Sequence, residues 1–348
     1  MKKRIAKRVI AATLCLLMAF SVLAGCGSSS SSSSDSSTSG ETADAGTSTD
    51  NSDIKIMFSM ALRDQFLSSM EKAGVAWAEA NGVTLDVQDA NDDISQQLSH
   101  VQAAVAGGYD AIIVNLVNTD NAADVLASAG DLPVVFVNRN PGNDVLVADK
   151  IIYVGSDENY SGGFQAEYLA ERFKAEGKTE VNLVLFEGAL GQEAAVTRTA
   201  SVIAGLEEAG IRANYVFEDT ANWERSKAQE MFIQFLGKGE EFDGVICNND
   251  EMALGVIEAM QMQGLDPSSV PIVGIDATAD GCKAIQEGTL AFTVYQSATG
   301  QGEGAVQAAT EIVKNGTLDG VDGVNEDKTV VWIDFEPVDA DNVADYLS

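Results

Sequence analysis

The chain of 348 residues carries 53 acidic against 21 basic side chains, a net charge of −32, and has one histidine. That balance argues against a nucleic-acid partner and against direct adhesion to an anionic bilayer. With His100 alone, most metal-site and general-base schemes are removed as well.

The chain opens on a basic cluster, Lys2, Lys3, Arg4, Lys7 and Arg8, then an apolar run over 9–24 that ends in Leu23-Ala24-Gly25-Cys26. This order is that of a secretory signal, and the run is short for a membrane span. The cysteine marks the lipoprotein version. Residues 1–25 are expected to be removed, and the Cys26 thiol to take a diacylglyceryl group and become the new N-terminus. Residues 26–52 are dominated by serine, bury nothing, and read as a disordered tether. Cys15 leaves with the signal, so only Cys247 and Cys282 remain in the body. They read as buried free thiols, with pairing outside the cell left open.

From residue 54 onward, short β-prone runs alternate with amphipathic helical stretches. Strands are predicted at 54–59, 83–86, 111–115, 134–138 and 151–154, and again at 181–186, 214–218, 244–247, 272–275 and 291–295. Helices are predicted at 66–80, 95–106, 161–175, 196–209, 226–236, 251–263 and 302–314. Runs such as AIIVNL and PVVFVN are apolar without alternation, as parallel strands buried on both faces require. Repeated βα units of this kind give parallel α/β sheets with right-handed crossovers. About ten strands exceed one typical domain, which points to two similar lobes with a change of lobe near 154–157.

Open parallel sheets bind ligands beyond the carboxyl ends of their strands. Asp64, Asn138-Arg139, Asn248-Asn249-Asp250 and Asp276 all fall at such ends. Each alone reads as a loop cap; four across two lobes point to a shared cleft. No P-loop, GxGxxG after the first strand, HExxH or GxSxG occurs. Gly300, Gly302 and Gly304 open a late helix and read as flexibility at its start. Asp89, Asn91 and Asp93 lack the glycine and glutamate of a calcium loop.

At these strand ends the chain resembles the galactose/glucose-binding proteins of the type I periplasmic-binding-protein superfamily, from about residue 54 to 347. The resemblance is densest in PVVFVNRNP (133–141), IYVGSDENYSG (152–162), EDTANWERSKAQ (218–229), VICNNDEMALGVIEAM (245–260) and PIVGIDATADG (271–281). It implies two similar lobes, each a parallel-sheet α/β sandwich, joined by three hinge crossings near 154–155, 297–298 and 332–333. The N-terminal lobe is then 53–154 with 298–331, and the C-terminal lobe 155–297 with 332–348. The ligand implied is a monosaccharide held between the lobes.

Carried over by resemblance, Asp64 accepts from a ring hydroxyl and Asp276 grips two neighbouring hydroxyls, as an ionised carboxylate with only acceptor capacity can. Asn138 and Asn249 both donate and accept. Arg198 is a donor aimed at the ring or anomeric oxygen, and Phe66 and Trp223 sandwich the apolar faces of the ring. The departures bear on which sugar is taken. Where the family has a histidine and an aspartate before the matching arginine, this chain has Gln192 and Ala194. The family's lysine is Arg139, closer to ribose and xylose binders, and the asparagine at the last hinge is Gln296. The family's calcium loop shrinks to Ala175-Glu176-Gly177-Lys178, so no metal or other cofactor is expected.

The resemblance implies an ABC-importer receptor that closes on a galactose- or glucose-type hexose, with a pentose or inositol as the alternative. Permease and ATPase subunits are the implied partners, or else a chemoreceptor or sensor kinase. The protein is expected to act as a monomer outside the cytoplasm, touching the membrane only through Cys26. A glycosidase built on Asp64 and Asp276 is not expected, since no histidine lies in the cleft and no glycosidase motif is present.

Overall fold

The computed structural model describes residues 51–347. The signal, Cys26 and all but the end of the serine-rich stretch lie outside the described residues. The first sheet takes β1 (Lys55–Met60), β2 (Thr84–Asp89), β3 (Ala111–Val114), β4 (Val134–Val137), β5 (Ile151–Gly155) and, from far along the chain, β11 (Val330–Trp332). Its order is β11-β5-β4-β3-β1-β2, and every neighbouring pair is parallel. The second sheet contains β6 (Glu180–Glu187), β7 (Arg212–Thr220), β8 (Gly244–Cys247) and β9 (Ile272–Val273), in the parallel order β7-β6-β8-β9. Beside it, β10 (Thr293–Gln296) pairs antiparallel with β12 (Phe335–Val338) and continues the sheet through bridges such as Asp276 to Tyr295.

Both faces of each sheet are covered, which is why the strands are apolar without alternation. In β3 and β4, Ile113, Val135 and Val137 face the core shared with α1 (Gln65–Asn81) and α9 (Ala298–Asn315). Ile112, Val134 and Phe136 face the core shared with α2 (Ile94–Gly107) and α3 (Ala122–Ala129). In β6, Leu183 and Leu185 pack with α4 (Glu158–Ala175) and α5 (Glu193–Glu208). Its Val184 and Phe186 pack with α6 (Arg225–Leu236), α7 (Asp250–Met262) and α8 (Ala279–Gln286). Each fully buried Phe or Leu among these contributes about 1.5–3 kcal/mol. Cys247 and Cys282 are both buried free thiols.

The chain passes between the two lobes after β5, after β10 and after β11. Two short helices, α3 and α8, were not predicted; their eight residues give too few turns for a clear period. Among the glycines near the start of α9, Gly302 also answers to close packing. Gly302 lies against α1, where a Cβ would sit 2.1 Å from the Met70 carbonyl oxygen and 3.0 Å from the Gly74 nitrogen. Its absent side chain lets two helix backbones meet, which sets how closely α1 packs on α9.

Candidate functional site

The carboxyl ends of both sheets face one cavity, and every residue expected to contact the ligand lines it, whereas Asn248 and Asp250, which flank Asn249 at the same strand end, lie behind its wall. Asp64, Phe66, Asn138 and Arg139 come from the first lobe; Gln192, Arg198, Trp223, Asn249, Asp276 and Gln296 come from the second. Leu67, Ala194 and Glu158 complete the lining. The lobes touch beside it, where the Thr119 hydroxyl donates to the Gly191 carbonyl at 3.3 Å.

Two of these residues are helix caps and cavity walls at once. Asp64 caps α1, its Oδ1 accepting from the Leu67 amide at 2.7 Å, and the carboxylate retains acceptor capacity toward the cavity. Burial pushes the Asp64 carboxyl above its ordinary range, against the pull of that amide and of Arg139. Asn249 caps α7 in the same way, accepting from Met252 at 3.0 Å while its Nδ2 donates to the Trp223 carbonyl at 3.4 Å. The cap and the binding role are therefore compatible readings of one side chain.

Asn138 sits at a φ of 66°, held by the Tyr153 hydroxyl donating to its carbonyl at 3.0 Å. Its side chain accepts from Asn115 at 3.3 Å and donates to Gln301 at 3.2 Å. Arg139 is buried with its Nη1 donating to the carbonyls of Leu116 and Val117 at 2.7 and 3.0 Å. Burial lowers its pKa, with Asp64 and Asp92 opposing. It is thus fixed in orientation before any ligand arrives.

In the second lobe the sequence reading missed one member. Glu158, 3% exposed, forms a two-pronged pair with Arg198, which is 4% exposed: Nε to Oε2 at 2.6 Å and Nη2 to Oε1 at 2.8 Å. Nη1 of Arg198 donates to the Asn248 carbonyl at 2.8 Å and lies 3.9 Å from Asp276. Burial works against the Arg198 charge, yet Glu158 holds its pKa above the usual value. Breaking such a buried pair by removing one partner costs about 3–5 kcal/mol. The signal for Glu158 was its place just past β5, but an acidic residue opening a helix reads first as a complement to the helix dipole.

Asp276 is 6% exposed, and no hydrogen bond to its carboxylate is made by the described residues. Burial pushes it well above the ordinary carboxylate range, Arg198 opposing and Asp250, Asp64 and Glu158 adding to it. Gln296 also has a buried amide nitrogen without a partner. An unpaired buried donor and a buried carboxylate that accepts no hydrogen bond are costly unless something polar fills the space between the lobes.

The Gln192 side-chain carbonyl accepts from the Trp223 indole N–H at 2.9 Å, which leaves it one acceptor site and its amide N–H groups for a ligand. Trp223 itself has a φ of 69° and lies over Gly188, where any Cβ would fall 2.0 Å from the indole ring. The Arg198 guanidinium sits 5.6 Å from the same ring, within cation–π range. Among the described residues no group of three or more His, Cys, Asp or Glu side chains is arranged to hold a metal. No described helix is long and apolar enough to cross a membrane.

Residues 56–317 match the family described as "Periplasmic binding protein domain". A Rhizobium meliloti protein named for rhizopine binding is 36% identical over 295 residues, 83% of this chain and 91% of that protein. A D-galactose/methyl-galactoside binding periplasmic protein of Haemophilus influenzae is 31% identical over 297 residues, 82% of this chain and 88% of that protein. Among solved structures, an ABC transporter solute binding protein from Bacillus halodurans with bound myo-inositol superposes at a TM-score of 0.75 with 32% identity. That match covers 86% of this chain and 98% of the other. The chain belongs to the type I periplasmic binding proteins, two-lobed extracytoplasmic proteins that capture a solute without transforming it.

Proposed function

We propose that this chain is the solute receptor of an ABC importer and that its cleft takes one ring of a cyclic polyol, a galactose- or glucose-type monosaccharide in the first instance. The observation that carries this reading is the lining. Asp64, Asp276, Arg139, Arg198 and four amides surround the cavity, with Phe66 from one lobe and Trp223 from the other. Hydroxyls that donate and accept match carboxylates, amides and guanidinium groups, and flat aromatic surfaces match the C–H faces of a ring. Groups from both lobes converge on the ligand, so contacts made only on closure favour the shut form.

A cyclitol such as inositol is the second reading, with a pentose beside it. Ala194 gives the wall no polar group, and Gln192 has one of its two acceptor sites taken by Trp223. Both weaken the grip on a hydroxymethyl arm, and the Bacillus halodurans relative holds myo-inositol. A thermal-shift panel of D-galactose, D-glucose, D-ribose, myo-inositol and free amino acids tests both readings. A true ligand at a hundredfold over its Kd adds about 2.7 kcal/mol to stability. A panel in which no polyol raised the melting temperature while an amino acid did would end the polyol reading.

In this proposal Cys26 carries the lipid that keeps the receptor at the membrane, and one chain suffices for capture. Handing the ligand to a permease with its ATPase is the main fate proposed, a chemoreceptor or sensor kinase the lesser one. Cys26→Ala is expected to release the protein into the medium or leave an unprocessed precursor, seen by fractionation; a variant still processed and membrane-bound overturns the anchor.

A further inference from the structure

Behind the wall that carries Asp276 lies another carboxylate, one the cleft never exposes. Asp250, the first residue of α7, is fully buried. Its Oδ1 accepts from the Thr293 hydroxyl at 2.6 Å; its Oδ2 accepts from the Thr278 amide at 2.9 Å and hydroxyl at 3.3 Å. Thr293 belongs to β10 and Thr278 caps α8, so one side chain ties three elements together around the turn that bears Asp276.

That turn needs tying. Asp276 and Ala277 follow one another at φ values of 125° and 48°, where residues with side chains stay only if their surroundings hold them. Asp276 itself is secured by backbone, its amide donating to Val294 at 2.7 Å and its carbonyl accepting from the Gln296 amide at 3.2 Å, and the Asp250 amide donates to Ile275 at 2.8 Å. The exit depends on side chains. The Ala277 amide donates to the Thr293 hydroxyl at 3.3 Å, and the next amide, of Thr278, donates to Asp250. The Thr293 hydroxyl thus relays the turn's amide to the Asp250 carboxylate.

We propose that Asp250 is a positioning residue for ligand capture, one that never touches the ligand but holds the turn that aims the Asp276 carboxylate into the cleft. The proposal rests on the polyol reading of that cleft. The groups facing Asp250 are Asp276, Glu251 and the Cys247 and Cys282 thiols, and among the described residues no cation pairs with it. Burial pushes Asp250 up to about 7. Its charge in turn pushes Asp276, which has Arg198 on its other side, further upward. Two consequences separate positioning from mere support. Removing the Asp250 charge makes Asp276 easier to ionise, so the pH midpoint of affinity moves down. A buried acid with a raised pKa also contributes most to stability below the ordinary aspartate range, and that contribution is lost as pH rises through the raised value. Asp250→Asn therefore loses less stability at about pH 8 than at about pH 5 while binding worse at both.

The test titrates the wild type, Asp250→Asn, Thr293→Val and Thr293→Ser with myo-inositol, D-galactose and D-ribose from about pH 5 to about pH 8, and records melting curves alongside. The expected result is affinity reduced by about tenfold or more in Asp250→Asn and Thr293→Val, one lost charge-assisted bond being worth that much. Thr293→Ser, which keeps the hydroxyl, retains wild-type affinity, and Asp250→Asn shows the lowered pH midpoint. Wild-type affinity and an unmoved midpoint in Asp250→Asn overturn the proposal; if that variant does not fold, wild-type affinity in Thr293→Val does so. A wild type that binds none of the three polyols overturns the polyol reading, and this proposal with it.

Discussion

Asp276→Ala is expected to weaken ligand capture by about 10²- to 10⁴-fold and to leave the melting temperature at neutral pH at or above that of the wild type. The affinity loss follows from the two hydroxyls its carboxylate is proposed to accept. Hydrogen bonds to a charged group are worth about 1.5–3 kcal/mol each, and each 1.4 kcal/mol is a factor of ten. The stability result follows from the direction of its pKa. Burial raises Asp276 well above its unfolded value. Its contribution to folding is therefore fully present only below the unfolded pKa and disappears as pH climbs through the folded one. At neutral pH a buried carboxyl with a raised pKa is a burden that alanine removes, and Arg198 keeps Glu158 and the Asn248 carbonyl as partners. Acidification should also weaken binding in the wild type, because a protonated Asp276 loses acceptor capacity. Calorimetric titration with melting curves checks both; wild-type affinity in the variant would remove Asp276 from the site.

The other large effect is on stability. Gly302→Val is expected to destabilise the protein by at least about 1–3 kcal/mol, the usual cost of overpacking, and to lower the melting temperature by several degrees. The atoms a Cβ would strike, the Met70 carbonyl oxygen and the Gly74 nitrogen, are backbone. No rotamer change can relieve the clash, so α1 must move away from α9. Because Asp64 and Phe66 sit at the start of α1, ligand affinity should fall with stability. Gly304→Ala is the matched control. Its Cβ would meet Val154 at an ordinary 3.4 Å, and alanine is the better helix former. Equal destabilisation by the two variants, measured by chemical denaturation, would mean that the glycines serve helix flexibility after all.

The parts of this molecule that repeat were readable from the chain. Non-alternating runs such as that ending at Val114 identified doubly covered strands, and polar residues just past strand ends located the cleft, because a parallel sheet leaves only that edge open to a ligand. Glu158 was not readable as a cleft residue. Its role depends on Arg198, forty positions away, turning its Nε edge toward α4 rather than into the cavity. Likewise, Asp250 stood in plain view beside Asn249, yet its purpose depends on hydroxyls from two other elements. The close packing at Gly302 was not readable, because close approach is a property of two helices, and the sequence around one of them says nothing about the other. Pattern reports which face of an element is buried, but not which atoms it meets there.

The three passages between lobes also determine when either lobe can be finished. The first sheet needs β11 at its edge and α9 over its face, and the second lobe needs β12 against β10. A chain emerging end-first, from a ribosome or through a membrane pore, cannot close the N-terminal sheet when its first five strands are out. It must wait until residues beyond 330 have followed. Pairing β5 with β11 and β10 with β12 requires large loops to be drawn in, which slows folding. The arrangement that joins the two lobes by three passages therefore also delays the completion of both.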